Sequence, residues 1–211
     1  MRCGRNASEI CLVAVSKRQS EGSIRAAMVA GHRCFGENQV QEAVAKAANL
    51  PTDLEWHMIG PLQGNKVKPA TRLFDTIHSV DRLKIARLLN KEAAKLSRRL
   101  DIFVQVNVGN EPSKHGFAVD AFEAEVRPLA TLQNLRIVGL MAIPPFEEEA
   151  AAARRWFSEL RDLRDLAAAW SDWPDFPGFL SMGMSHDFEI AIEEGATHVR
   201  VGTGIFGRRA Y

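Results

Sequence analysis

Leu12-Val13-Ala14-Val15-Ser16-Lys17 reads as a buried strand that ends on a lone cation. Side chains alternate across a strand, so Val13, Val15 and Lys17 share one face and the amine continues an otherwise apolar row. Partial burial there disfavours the charged form and leaves a neutral amine able to condense with an aldehyde as a Schiff base. Position alone favours a plainer outcome, a strand-ending lysine whose head reaches solvent. The rest of the chain reverses that order.

Working outward from 11–15, seven more short apolar or β-branched runs stand at 32–36, 54–59, 76–80, 102–108, 137–143, 179–182 and 198–201. Helical periodicity fills most of the gaps, at 23–30, 40–49, 81–97, 119–132, 147–169 and 187–194. Strict alternation requires parallel strands with crossover helices, and eight repeats close a (β/α)8 TIM barrel rather than leave an open doubly wound sheet. Its 211 residues suit one barrel, so 1–211 is expected to form a single domain. Within 147–169, Trp156, Leu160, Leu163 and Leu166 fall at helical spacing and are expected to pack on the sheet. Segment 171–178 reads as a proline-rich surface connection.

Composition narrows the function. A formal net charge of +1 offers no field for nucleic acid or an acidic membrane surface. The apolar run 10–15 is too short for a signal-peptide core, and no stretch of about 18 apolar residues exists to span a membrane. A soluble, cytoplasmic protein is expected. Cys3, Cys11 and Cys34 are scattered, odd in number and without CxxC spacing, and the six histidines form no HxxxH pair, so no disulfide framework and no metal site is assigned.

In a barrel of this kind chemistry sits on the loops after the strands, and phosphate is often held after strands seven and eight. Those places are occupied here by Gly183-Met184-Ser185-His186-Asp187 and Gly202-Thr203-Gly204-Ile205-Phe206-Gly207. Glycine lets main-chain amides approach an anion, and Ser185 stands where a helix is expected to begin, with the first-turn amides at hand. Taken singly, Ser185 is an N-cap and the glycines are turns. A strand-end lysine together with two anion-binding loops instead describes a ligand with an aldehyde and a phosphate, the two handles of pyridoxal 5'-phosphate.

The motifs "AVSK" (14–17), "FGENQVQE" (35–42), "LEWHMIGPLQGNK" (54–66), "IHSVDR" (77–82), "QVNVGNEPSKHG" (105–116), "GLMAIPP" (139–145), "SMGMSHDFEIAIEEGAT" (181–197) and "RVGTGIFGRR" (200–209) follow one another in the order and spacing of one family. From about Ile10 to the C-terminus the chain resembles the pyridoxal phosphate homeostasis proteins. The resemblance implies a barrel like the amino-terminal domain of alanine racemase, with pyridoxal phosphate attached as a Schiff base to Lys17. It implies Ser185, Gly202 and Thr203 at the phosphate, with Met184 in the same loop. Asn38 would lie beside the ring and Arg200 would face the pyridine nitrogen. Lys114, in "SKHG", would be a second amine near the mouth, able to receive or pass on the cofactor, against the plain alternative of a solvent-facing lysine. Family members serve vitamin B6 and amino-acid homeostasis without an established catalytic activity, which implies pyridoxal phosphate-dependent apoenzymes as recipients. A monomer or weak homodimer is expected.

The residues themselves also favour a carrier. Racemisation needs a second proton-transferring group across the cofactor from the lysine, and the single tyrosine is Tyr211 at the end of the chain. A guanidinium at position 200 favours the unprotonated pyridine nitrogen, whereas a carboxylate would keep the ring a strong electron sink. A surface ion pair of Arg200 with Glu193 or Glu194 is the alternative for that residue. No catalytic residue is therefore assigned. The competing function is a fold-type-III enzyme, a racemase or decarboxylase, or a cofactor-free Schiff-base aldolase. Only about ten residues precede Ile10, so the family's amino-terminal helix is expected to be missing. That would leave Leu12 and Ala14 in an exposed apolar patch, through a misassigned start or because a partner chain covers it.

Overall fold

A computed structural model of the chain describes residues 3–207. Its strands are β1 (Cys11–Val15), β2 (Cys34–Glu37), β3 (Glu55–Met58), β4 (Thr76–Val80), β5 (Leu100–Asn107), β6 (Phe117–Ala118), β7 (Leu135–Ala142), β8 (Phe179–Met184) and β9 (His198–Val201). All pairings are parallel, in the order β4-β3-β2-β1-β9-β8-β7-β5, and a β4–β5 pairing closes the ring. Eight strands thus form the expected barrel. The ninth, β6, is a two-residue addition to the end of β5, too short to leave a periodic signal.

Helices α1 (Glu21–Val29), α2 (Val40–Ala47), α3 (Val67–Leu73), α4 (Leu83–Lys95), α5 (Phe122–Val126), α6 (Arg154–Ala168), α7 (Phe188–Glu193) and α8 (Thr203–Phe206) connect the strands. Helix α4 shows why they form: Ile85, Ala86, Leu89 and Ala93 recur along one face and are buried against the sheet. Helix α3 has no counterpart among the expected helices, and it contains Pro69. That proline is the third residue of the helix, where its missing amide leaves no intrahelical bond unmade. The expected helix 119–132 is interrupted: α5 stops at Val126, and Arg127–Thr131, with Pro128 near its start, winds as a tighter 3-10 turn.

Most of the core lies between barrel and helices. Two smaller apolar clusters fill the inside, Val13 with Cys34 and Ile59, and Phe103 with Val138 and Met141. On α6 Leu160 is buried and Trp156 and Leu163 pack partly buried against the core, as expected; Leu166 is exposed, and Phe157 and Ala167 complete the buried face. Ahead of β1 the described residues form a 3-10 turn, Ala7–Glu9, capped by the Asn6 side chain. Leu12 is partly exposed, as expected. Ala14 is not: it is fully buried in the same cluster as Ile24 of α1. No helix among the described residues is long and apolar enough to cross a membrane.

Candidate cofactor-binding site

Strand β1 ends at Val15, and the Ser16 amide extends its ladder by donating to the Gly36 carbonyl at 3.0 Å. The chain then turns sharply, with Arg18 in the left-handed region at φ 59°. Lys17 is held in that turn, half-buried, one step beyond the strand instead of within it. It lines a cleft of about 510 Å³ at the carboxyl ends of the strands, within the usual range for a small-ligand site. All seven residues expected from the sequence, Lys17, Asn38, Met184, Ser185, Arg200, Gly202 and Thr203, line this one cleft. Asn38 follows β2, where Gly60 packs so tightly that a Cβ there would come within 2.3 Å of the Asn38 carbonyl oxygen.

Beside β1, in the loops after β8 and β9, the Ser185 hydroxyl accepts from the amides of Gly202 at 3.2 Å and Gly204 at 3.4 Å. A Cβ on Gly204 would meet Val201 at 2.9 Å, so the amides converge because the loop carries glycine. Ser185 does not start a helix. Helix α7 begins at Phe188 behind Asp187, whose carboxylate accepts from the Met184 amide at 2.7 Å and is thereby tied into its own turn. The amides beside Ser185 come instead from the opening of α8, which follows the neighbouring strand β9. Hydroxyl plus main-chain amides is a donor set that fits a phosphate, and a lysine in the same cleft fits an aldehyde.

Arg200 is buried, and its partners are inside the barrel: Nη1 donates to Ser181 Oγ at 2.7 Å and Nη2 to the Ala142 carbonyl at 2.9 Å. Glu193 and Glu194 are engaged elsewhere, by Arg154 and Arg161, so the surface ion pair is not formed. Burial lowers the Arg200 pKa to about 10, opposed by Asp187, which keeps it a cation at neutral pH. Lys114 also lines the cleft, anchored to Glu111 at 2.5 Å.

Beyond Arg200 a polar spine that the sequence reading missed runs down the barrel axis. Ser181 Oγ lies 2.7 Å from His78 Nδ1, His78 Nε2 lies 2.8 Å from His57 Nδ1, and His57 Nε2 lies 2.8 Å from Glu55 Oε1. Burial, reinforced by His57, His198 and Arg200, drives the His78 pKa well below its ordinary value, so that ring is neutral. Burial likewise pushes His198 down to about 3. Starting from the obligate donor Arg200, satisfying each contact assigns one direction to the whole chain: Arg200 to Ser181, Ser181 to His78, His78 to His57, His57 to Glu55. The signal was present as polar residues at inward-facing strand positions, but only the spacing of histidines had been considered.

The alanine racemase N-terminal domain family model matches residues 2–210. Among relatives, the pyridoxal phosphate homeostasis protein of Pseudomonas aeruginosa is 45% identical over 209 residues, covering 99% of this chain and 88% of that protein. That of Escherichia coli is 42% identical over 214 residues, covering 100% and 90%. The solved structure of PipY from Synechococcus elongatus with pyridoxal phosphate bound superposes with a TM-score of 0.87 at 40% identity, covering 98% of this chain and 96% of that one. Alanine racemase from Corynebacterium glutamicum, with a TM-score of 0.70 at 18% identity over 57% of its length, shares the fold alone. The chain belongs to the alanine racemase N-terminal domain family and, within it, to the pyridoxal phosphate homeostasis proteins.

Proposed function

We propose that this chain, as one domain over 1–211, holds pyridoxal 5'-phosphate in the cleft and serves intracellular vitamin B6 and amino-acid homeostasis as a carrier without robust catalysis. The observation that carries it is the meeting of Lys17, Arg200 and the Ser185–Gly202–Gly204 anion pocket in one cleft of a closed barrel. When bound, the cofactor supplies an aldehyde that a primary amine captures reversibly as a Schiff base. Lys17 provides the amine. Ser185 and the amides of Gly202, Thr203 and Gly204 bind the phosphate, with Met184 beside them. Asn38 borders the ring, and Arg200 donates to the pyridine nitrogen.

Two features of the chain favour holding over turnover. Arg200 stays charged at neutral pH and has only protons to offer, so the nitrogen facing it keeps its lone pair and the ring is a weak electron sink. A two-base reaction of the racemase kind needs a proton-transferring tyrosine facing Lys17, and no tyrosine stands among the described residues that line the cleft. Lys114, at the rim, passes the cofactor to recipient apoenzymes in the cytoplasm, and the protein acts as a monomer or weak homodimer.

Borohydride trapping tests the assignment. The purified protein should be yellow, lose that colour on reduction, and yield a single pyridoxylated peptide containing Lys17; a Lys17→Arg variant should yield none. An unmodified Lys17 in the wild-type protein defeats the attachment. Rapid loss of optical rotation from single-enantiomer amino acids would instead favour the enzyme.

A further inference from the structure

The floor of the barrel, at the end opposite the cleft, gathers a second set of reactive side chains. Cys11, Cys34 and Glu55 are the first residues of β1, β2 and β3; the β1–β2 register sets Cys34 level with Val13, two residues along the same face from Cys11, and the two sulfurs approach to 3.7 Å. Cys34 stands opposite Glu55 in the β2–β3 register, and His57 follows two residues along the same face of β3. We propose that Cys11, Cys34, Glu55 and His57 form a binding site for a tetrahedral divalent metal ion, Zn2+, that ties these three strands together.

The spacing suits the ion. Cys34 Sγ, a Glu55 carboxylate oxygen and a His57 ring nitrogen all lie within 4.8 Å of one another. Cys11 Sγ lies outside that group but 3.7 Å from Cys34 Sγ, close to the separation of about 3.8 Å between two thiolates on one tetrahedral zinc with Zn–S bonds of ~2.3 Å, so its side chain must turn toward Glu55 and His57 to complete the site. His57 Nε2 and Glu55 Oε1 are 2.8 Å apart, against about 3.3 Å on a shared ion, so Glu55 must withdraw by roughly 0.5 Å. Its side chain is half exposed and can do so. Two sulfurs, a nitrogen and an oxygen select zinc over magnesium or calcium, which demand oxygen ligands in larger number.

On binding, each coordinating thiol gives its proton to solvent and its sulfur lone pair to the metal, and nothing is oxidised. To ligate through Nε2, His57 moves its one proton to Nδ1, which reverses its bond with His78, whose Nε2, 2.8 Å away, then accepts and fixes the ring. His32 Nε2, 2.6 Å from the Cys34 carbonyl, steadies the neighbouring backbone. Four protein ligands with no open position describe a structural site, at the end of the barrel where stability rather than chemistry is set. It stands independently of cofactor binding at the mouth.

Co2+ titration of the full chain, stripped with chelator and kept reduced with a phosphine, tests the site. One equivalent should bring thiolate-to-metal charge-transfer absorption with intense tetrahedral bands, and Zn2+ should displace it. Cys34→Ser should weaken Co2+ binding beyond the roughly 10–100-fold that loss of an outer hydrogen-bond partner costs. Glu55→Gln, at an exposed side chain, provides a variant whose folding is not at risk and should weaken binding while keeping the charge-transfer band. Weak octahedral bands without charge transfer, binding unchanged in both variants, or a Cys11–Cys34 disulfide in the reduced preparation would each overturn the proposal.

Discussion

At Ser185 one hydroxyl oxygen takes two main-chain amides that would otherwise point into the cleft unpaired. A phosphate arriving there gains a hydroxyl and amides already aimed at it, so little ordering is left to do on binding. Ser185→Ala removes a hydrogen bond to a charged group, a loss of about 1.5–3 kcal/mol. Pyridoxal phosphate should therefore bind about 10- to 100-fold more weakly. Pyridoxal, which lacks the phosphate, should bind the variant and the wild type alike; absorbance titration with both vitamers separates the two effects. The seven candidate residues could be picked out because they sit at or just beyond the carboxyl ends of strands, Met184 and Arg200 within β8 and β9 and the others after a strand has ended, and the structure gathers them in one cleft. The spine behind Arg200 was not, since Ser181, His78 and His57 lie on different strands and only closure of the sheet brings them into line.

Among the elements, α2 and β2 are joined by a charged cluster that binary patterning treats as solvated. Lys46 donates at 2.7 Å to Glu37, to Glu42 and to the Ser16 carbonyl, and both Lys46 and Glu37 are buried. Burial raises the Glu37 pKa against the opposing pull of Lys46 and Ser16. Removing the cation leaves a buried carboxyl unpaired, so Lys46→Met should lower unfolding free energy by about 3–5 kcal/mol, with Glu37→Leu in the same chain recovering much of it. Urea denaturation measures both. Glu42 behaves oppositely: partial burial pushes its pKa up, but hydrogen bonds from Lys46 and the Arg18 amide outweigh this and hold it below 4.5. A carboxyl depressed in the fold contributes stability that is present above about pH 4.5 and lost as pH falls through its lowered value. The melting temperature should accordingly drop less on acidification in Glu42→Gln than in the wild type. Helix α3, short and with Pro69 at its third position, escaped the sequence, and the expected helix 119–132 ran past Pro128, where the chain tightens into a 3-10 turn.

For the whole molecule, eight strands of alternating pattern sufficed to identify the barrel, because parallel pairing with crossover helices leaves few other ways to bury their faces. What strand counting could not supply was proximity across the floor. Cys11 and Cys34 looked scattered along the chain, yet both lie at the floor end of neighbouring strands on the inward face, where their sulfurs approach to 3.7 Å. Closure also makes ligand binding a property of the entire ring. A cofactor present at 100 times its dissociation constant stabilises the folded state by about 2.7 kcal/mol. For a chain of this size that should raise the melting temperature by about 5–10 °C, and the rise should vanish in Lys17→Arg. Scanning calorimetry with and without pyridoxal phosphate checks it.

The string of hydrogen bonds from Arg200 to Glu55 has a grain. With Glu55 accepting from His57 the string has one sense; because an imidazole with one N–H keeps one lone pair, a metal ion that takes His57 Nε2 would reverse every link as far as Ser181, whose two lone pairs can accept from both His78 and Arg200. Such a reversal flips both rings' tautomers and changes how Ser181 meets the guanidinium beneath the rim. Nitrogen-15 shifts of the two imidazoles would read that sense directly, so events at one pole of the barrel would be visible from the other without any strand having moved.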